Sequence, residues 1–153
     1  MRLKALPALL SLTLVATSGL PAQAVTLNQD SLRADREQHL AAVREMIKGK
    51  ENLPGDSVYK GLKVFGRMPA ERLPMVMGRF SEALGVSCDH CHVVDEWDKE
   101  DKKQKQIARD MMAMARTITD SLLGKIPNLK SERPTVTCTT CHRGAVKPAT
   151  SMQ

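Results

Sequence analysis

Apolar residues recur at helical spacing near the start of the chain. Between residues 30 and 48 they fall on one face, which consists of Leu32, Leu40, Val43 and Ile47. Asp30 or Ser31 can cap the beginning of such a helix, and Gly49 can end it. The pattern therefore predicts an amphipathic helix over 30–48.

A less regular stretch follows, and a second helix comes after it. Residues 49–57 are rich in Gly, Asn, Pro and Asp and predict a loop, whereas 58–65 alternate loosely and predict a short extended segment. The second helix is predicted between Pro69 and Gly85, with Pro74 in its first turn, where proline is tolerated. Its apolar face consists of Leu73, Met77, Phe80 and Leu84.

Charged residues crowd positions 95–106 around the single tryptophan, Trp97. Such a run predicts a solvated turn that leads into a helix, and a surface for docking a partner is the alternative. A third helix is predicted over 101–123, with an apolar face made of Ile107, Met111, Met114, Ile118 and Leu122. It should end where the segment 124–137, which contains Gly and Pro, begins a loop.

The first 24 residues have the pattern of an export signal. Arg2 and Lys4 precede an apolar run over 5–20, and Ala22-Gln23-Ala24 matches the small-x-small sequence that signal peptidase cleaves. A membrane anchor is the alternative, but the apolar run is short and diluted by hydroxyl residues. We therefore expect cleavage after Ala24, a periplasmic product and no transmembrane segment in the mature chain.

The composition of the chain bears on its binding partners and on its core. The net charge is +6, but no basic stripe with interleaved aromatic residues accompanies it, so the sequence gives no support for nucleic-acid binding. Aromatic residues make up only 3% of the chain, which leaves little bulk for a core. The predicted organisation is a signal peptide, an N-terminal helix with its loop, a main domain and a flexible tail, over 1–24, 25–57, 58–146 and 147–153.

All four cysteines belong to two C-x-x-C-H motifs, Cys88–His92 and Cys138–His142. This pattern is typical of covalent attachment of haem c. Two cysteines one helical turn apart can reach the two vinyl groups of one haem, and the following histidine then presents its imidazole to the iron. The motifs predict two haem groups, which would also supply the missing bulk. Cys88, Cys91, Cys138 and Cys141 would bind them, with His92 and His142 as proximal ligands.

Three other uses of paired cysteines compete with this interpretation. A four-cysteine zinc site would not need a histidine after each pair. A redox dithiol is usually found in a βαβ context, which the chain lacks. A disulfide across two residues constrains little. The haem interpretation is the one that uses every cysteine and both histidines.

Methionine residues are the candidates for the sixth iron ligand. Methionine sulfur is a soft ligand, and His/Met ligation raises the reduction potential. Met77 lies on the apolar face of the second predicted helix, and both Met111 and Met114 lie on that of the third. Methionine on such a face is usually part of the core. His39, outside both motifs, is a further candidate, and a surface or core histidine is the alternative.

Several segments together resemble the cytochrome subunit of photosynthetic reaction centres and its small dihaem relatives. They are 58–65, the helix end leading to Cys88, the stretch from Trp97 to Arg109, Met111–Met114, and Val136–Gly144. The resemblance covers about residues 55–146. In that family a helix before each motif lies parallel to the haem and supplies the axial methionine.

The resemblance implies a mainly α fold built from two half-repeats, each a helix, a loop and a C-x-x-C-H motif, around two covalent haems. It also implies Met77 as the axial ligand of the first haem and Met111 as that of the second, with Met114 packed against the ring. The reaction-centre subunit has four haem motifs, whereas this chain has two and no cysteine for lipid attachment. The expected partners are a redox protein donor and acceptor. A membrane-bound electron-transfer complex is one candidate, and a soluble carrier and a subunit of another respiratory complex are equally open.

The expected function is one-electron transfer between a donor and an acceptor protein, without enzymatic activity. Two six-coordinate irons would leave no position for a substrate. The competing function is that of a dihaem enzyme, such as a peroxidase, or of a haem-based gas sensor. Either would need one iron with an open sixth position.

Overall fold

The structure is a computed structural model that describes residues 22–151, with side chains from residue 28. Five α-helices follow one another: α1 Ala22–Met46, α2 Gly55–Val58, α3 Arg72–Leu84, α4 Lys103–Thr117 and α5 Cys138–His142. Over the described range there is no β-strand, only isolated bridges between Pro54 and Pro69 and between Val93 and Glu96. The predicted mainly α class is confirmed.

The predicted signal peptide lies outside the described residues, except that Ala22–Ala24 form the beginning of α1. Within the part of the chain that is described, no helix is both long and apolar enough to cross a membrane.

Helix α1 begins earlier than the sequence predicted. Asp30 and Ser31 are interior residues, and the Ser31 hydroxyl donates to the carbonyl of Asn28 at 2.9 Å instead of capping the helix. Residues 22–29 contain no Gly or Pro, so the helix can extend through them. Its end agrees with the prediction, because Gly49 has φ of +79°. Leu40 in the helix and Ile47 immediately after it are buried.

The extended segment predicted over 58–65 is not formed. The short helix α2 includes Val58, the first residue of that segment, and the chain then folds back on itself through turns. The backbone N–H of Gly55 donates to Met68 O at 2.8 Å, and that of Asp56 donates to Gly66 O at 3.0 Å. Because these groups close a local loop, residues 58–65 have no neighbouring strand with which to pair.

Helix α3 has the predicted limits, with Pro74 in its first turn and Gly85 in the left-handed conformation at its end. The face that packs on α1 is made of small residues: a Cβ at Gly78 would lie 3.2 Å from the Leu40 side chain. Ser81 beside it is also buried. Met77 and Phe80, on the predicted apolar face, are only half-buried.

Helix α4 continues through one wide turn over Ile118–Leu122 and one tight turn over Leu123–Lys125, so the helical region ends close to the predicted position. No residue of α4 is buried. The loop that follows is fastened to it where the backbone N–H of Val136 donates to the Thr119 hydroxyl at 3.0 Å. The loop then delivers α5, which packs against α3.

Candidate functional site

The first C-x-x-C-H motif forms a tight turn. Cys88–His90 is a single 3₁₀ turn, and the N–H groups of Cys91 and His92 both donate to Cys88 O, at 3.3 and 3.1 Å. Both thiols are half-buried. Burial raises the pKa of Cys88 and of Cys91, and so both are neutral thiols at neutral pH.

The ring of His92 is held by the loop that follows the motif. Its Nδ1 lies 3.3 Å from the carbonyl oxygen of Trp97, and the two rings meet edge to face with centroids 5.6 Å apart. Burial, followed by the positive charge of Lys105, lowers the pKa of the imidazole. A neutral ring that donates through Nδ1 has its lone pair on Nε2, the atom with which it can bind a metal.

A charge cluster lies beside this loop. The Glu100 carboxylate is 3.1 Å from Lys63 Nζ and 3.0 Å from Lys105 Nζ, and it also pairs with the Arg109 guanidinium. The hydrogen bond from Arg109 is the main reason that the pKa of Glu100 falls to about 2. The sequence predicted a turn leading into a helix here, which is right, but it did not reveal this cluster.

The second motif forms the regular helix α5. The backbone N–H of Thr137 donates to the Thr140 hydroxyl at 3.0 Å, as part of a reciprocal capping box. His142 Nδ1 lies 3.0 Å from the carbonyl oxygen of Ala145, only three residues on. Cys138 is half-buried, with its pKa raised by burial, and Cys141 is exposed.

The residues after the second motif dock on the helix before the first one. The N–H of Gly144 donates to Ala83 O at 2.8 Å. A Cβ at Gly85 would lie 2.0 Å from the carbonyl oxygen of Gly144, closer than real atoms approach. The sequence contains both glycines, but no pattern in it indicates that they meet.

The candidate axial residues lie on the predicted helices. Met77 is half-buried on α3, while 37% of Met111 and 47% of Met114 is exposed on α4. Their role as ligands stays a prediction. His39 has other contacts: its Nε2 lies 3.4 Å from Asp35, and its ring meets Trp97 at 5.8 Å between centroids.

The residues present fit covalently bound haem. Four thiols are free, and both motif histidines have Nδ1 against a carbonyl oxygen. Helix α4 presents exposed apolar residues on one face, namely Ile107, Met111 and Met114, and Leu122 follows in the wide turn. A large flat apolar group would cover such a surface. In residues 22–151, no three Cys, His, Asp or Glu side chains converge as a four-cysteine zinc site would require.

Comparison with known proteins agrees with this chemistry. The family model described as photosynthetic reaction centre cytochrome C subunit matches residues 13–152. Cytochrome c-554 of Chloroflexus aurantiacus is 34% identical over 65 residues, which are 42% of this chain and 15% of that protein.

The photosynthetic reaction center cytochrome c subunit of Rubrivivax gelatinosus is 34% identical over 90 residues, which are 52% of this chain and 24% of that protein. The matched regions thus span a quarter or less of these relatives. The family model nevertheless matches nearly the whole chain. The chain belongs to the photosynthetic reaction centre cytochrome c subunit family, a family of haem c electron-transfer cytochromes.

Proposed function

We propose that the chain is a periplasmic one-electron carrier with two covalently bound haems. Cys88 and Cys91 would hold the first haem, and the second would be attached to Cys138 and Cys141. The observation that carries the proposal is that both motif histidines have Nδ1 against a backbone carbonyl oxygen, at 3.3 and 3.0 Å. This arrangement fixes the ring and keeps Nε2 for iron.

The bound haem would supply the one-electron couple. The protein would hold each proximal ring, His92 or His142, in one orientation through its carbonyl partner. Met77 and Met111 would fill the sixth positions, and thioether ligation favours the reduced state. Side chains in both axial positions would leave no place for a substrate, which would favour a carrier over an enzyme.

The proposed partners are a redox donor and a redox acceptor, and one of them would belong to a membrane-bound electron-transfer complex. The name of the Rubrivivax gelatinosus relative, a reaction center subunit, supports a complex of that kind. The export signal predicted in residues 1–24 supports a periplasmic location.

The decisive experiment measures haem content and ligation in the protein produced with the haem-attachment machinery. Intact mass and the pyridine haemochrome spectrum should give two haems per chain in the wild type, and one in either Cys88→Ala/Cys91→Ala or Cys138→Ala/Cys141→Ala. Carbon monoxide should not bind rapidly to the reduced protein at neutral pH. A single haem in the wild type, or rapid binding to one ferrous haem, would contradict the proposal and favour the gas-sensor or peroxidase function.

The same preparations test the axial ligands. Met77→Ala and Met111→Ala should each remove the low-spin Met signature of one haem and lower one potential. Met75→Ala and Met112→Ala are matched controls, since both side chains lie beside the predicted ligands but off the apolar faces. If Met114→Ala has the effect expected of Met111→Ala, the second axial ligand is reassigned.

A further inference from the structure

The carbonyl oxygen of Trp97 has two partners. His92 Nδ1 lies 3.3 Å from it, and Lys105 Nζ donates to it at 3.0 Å. The carbonyl that orients the proximal ring of the first site therefore also binds an ammonium group, which comes from the first turns of α4.

Lys105 is firmly held in this position. Only 11% of its side chain is exposed, and its ammonium also donates to Lys99 O at 2.7 Å and pairs with Glu100 at 3.0 Å. The three N–H groups of the ammonium are therefore matched by three acceptor oxygens.

The charge of Lys105 is not cancelled by Glu100. That one carboxylate pairs with two further cations, Lys63 and Arg109. The cluster therefore carries three positive charges and one negative charge, and the ammonium is the member that contacts the Trp97 carbonyl. A partly buried charge is screened less than one in water, so its field reaches the first site.

The second site has no such arrangement. His142 Nδ1 is 3.0 Å from Ala145 O, and among the hydrogen bonds of the described residues no lysine or arginine side chain donates to that oxygen. The two motifs share one pattern, but only the carbonyl partner of His92 is also bound by an ammonium group among the described residues.

We propose that Lys105 is a positioning residue that raises the reduction potential of the first haem above the value its ligands alone would set. By sharing the Trp97 carbonyl, it weakens the hydrogen bond from His92 and makes the ring a poorer electron donor to iron. Its positive charge also disfavours Fe(III), which carries one charge more than Fe(II). The inference rests on the proposed function, because it requires haem on Cys88 and Cys91.

The test is a spectroscopic redox titration of the full-length holoprotein. Lys105→Met should lower one of the two midpoint potentials, by about a tenfold change in the reduction equilibrium, or ~59 mV for one electron. Lys105→Arg, which keeps the positive charge, should have a midpoint potential close to that of the wild type. Lys103→Met is the matched control, since it removes the same charge from an exposed position two residues away and should move neither potential much.

Glu100→Gln provides a test of opposite sign. Removing its negative charge should raise the same midpoint potential that Lys105→Met lowers. The component that changes should be the one missing from Cys88→Ala/Cys91→Ala and present in Cys138→Ala/Cys141→Ala. If Lys105→Met does not take up haem, Lys105→Gln and Glu100→Gln decide the question.

Unchanged potentials in Lys105→Met, or an equal change in Lys103→Met, would overturn the inference while leaving the electron carrier intact. A shift of the other component would overturn it as well. Failure of the proposed function would look different, because the wild type itself would then lack one or both haems.

Discussion

The two C-x-x-C-H motifs have the same chemical pattern but are built differently. The first is a tight 3₁₀ turn whose histidine contacts the Trp97 carbonyl, five residues on. That carbonyl also accepts from Lys105, a member of a charge cluster that includes residues from α4 and from the loop after α2. The second is a capped α-helix whose histidine is held by Ala145, three residues on. The first is thus supported by tertiary contacts and the second largely by local ones.

The shared C-x-x-C-H pattern thus leaves the support of the histidine ring to the residues around each motif. In the first half, distant residues such as Lys63 and His39 contribute to the shell around His92 through Glu100 and Trp97. In the second half the distant contacts are the hydrogen bond from Val136 to Thr119 and the docking of Gly144 on the end of α3. The two halves are therefore joined at that point.

The largest loss of stability is expected when the contact between Gly85 and Gly144, which joins the two halves, is disrupted. Gly85→Ala should destabilise the holoprotein by about 3 kcal/mol or more, because its Cβ would meet the Gly144 carbonyl and Gly85 has φ of +64°. Thermal unfolding measures this. Gly124→Ala is the control: no atom lies within 4 Å of its added Cβ, so its stability should stay within about 0.5 kcal/mol of the wild type. Equal stability of the two variants would show that the halves are not joined here.

A smaller loss of stability is expected when the capping box of the second motif is removed. Thr140→Val keeps the shape of the side chain but removes the acceptor of the Thr137 N–H, which should cost about 1 kcal/mol. The exposed Thr139, in the same helix, supplies the control Thr139→Val. Denaturant unfolding of the holoprotein compares the two. If both variants lose the same stability, the capping box does not support the second motif.

The smallest expected effect concerns the charge cluster at the first site and depends on pH. The pKa of Glu100 is lowered from 4.5 to about 2 in the folded protein, so the unfolded state binds more protons between these values. The stability that Glu100 contributes is complete above about pH 4.5 and is lost as the pH falls towards 2. The difference in melting temperature between wild type and Glu100→Gln should shrink over that range. A difference independent of pH would contradict the ion-pair account.

Local patterns predicted much of the fold. The limits of α3 and the helical region that begins with α4 follow from apolar periodicity and from Gly85, and these are interactions between neighbours in sequence. The extended segment at 58–65 was wrong because loose alternation says nothing about whether a partner strand exists. The early start of α1 was missed because a capping residue can equally occur inside a helix.

Only part of the candidate site could be predicted from the sequence. The C-x-x-C-H motifs could be recognised because covalent attachment of haem needs these residue types in a fixed order and spacing, and the role of their cysteines and histidines stays a prediction. Trp97 and Lys105 gave no such signal, since their role depends on one backbone carbonyl and on a side chain eight residues away. The lone tryptophan in a charged stretch was the one hint available.

The mainly α class, the limits of α3 and the two C-x-x-C-H motifs can be read from the sequence alone, because each depends on residue type at a short, regular spacing. Only the tertiary structure decided that small residues of α3 face α1, that Gly144 meets Gly85, and that an ammonium shares the carbonyl of His92. Some of these contacts join residues that are distant in the chain, and the others depend on where one backbone oxygen points. A short-range pattern of side chains specifies neither of these features.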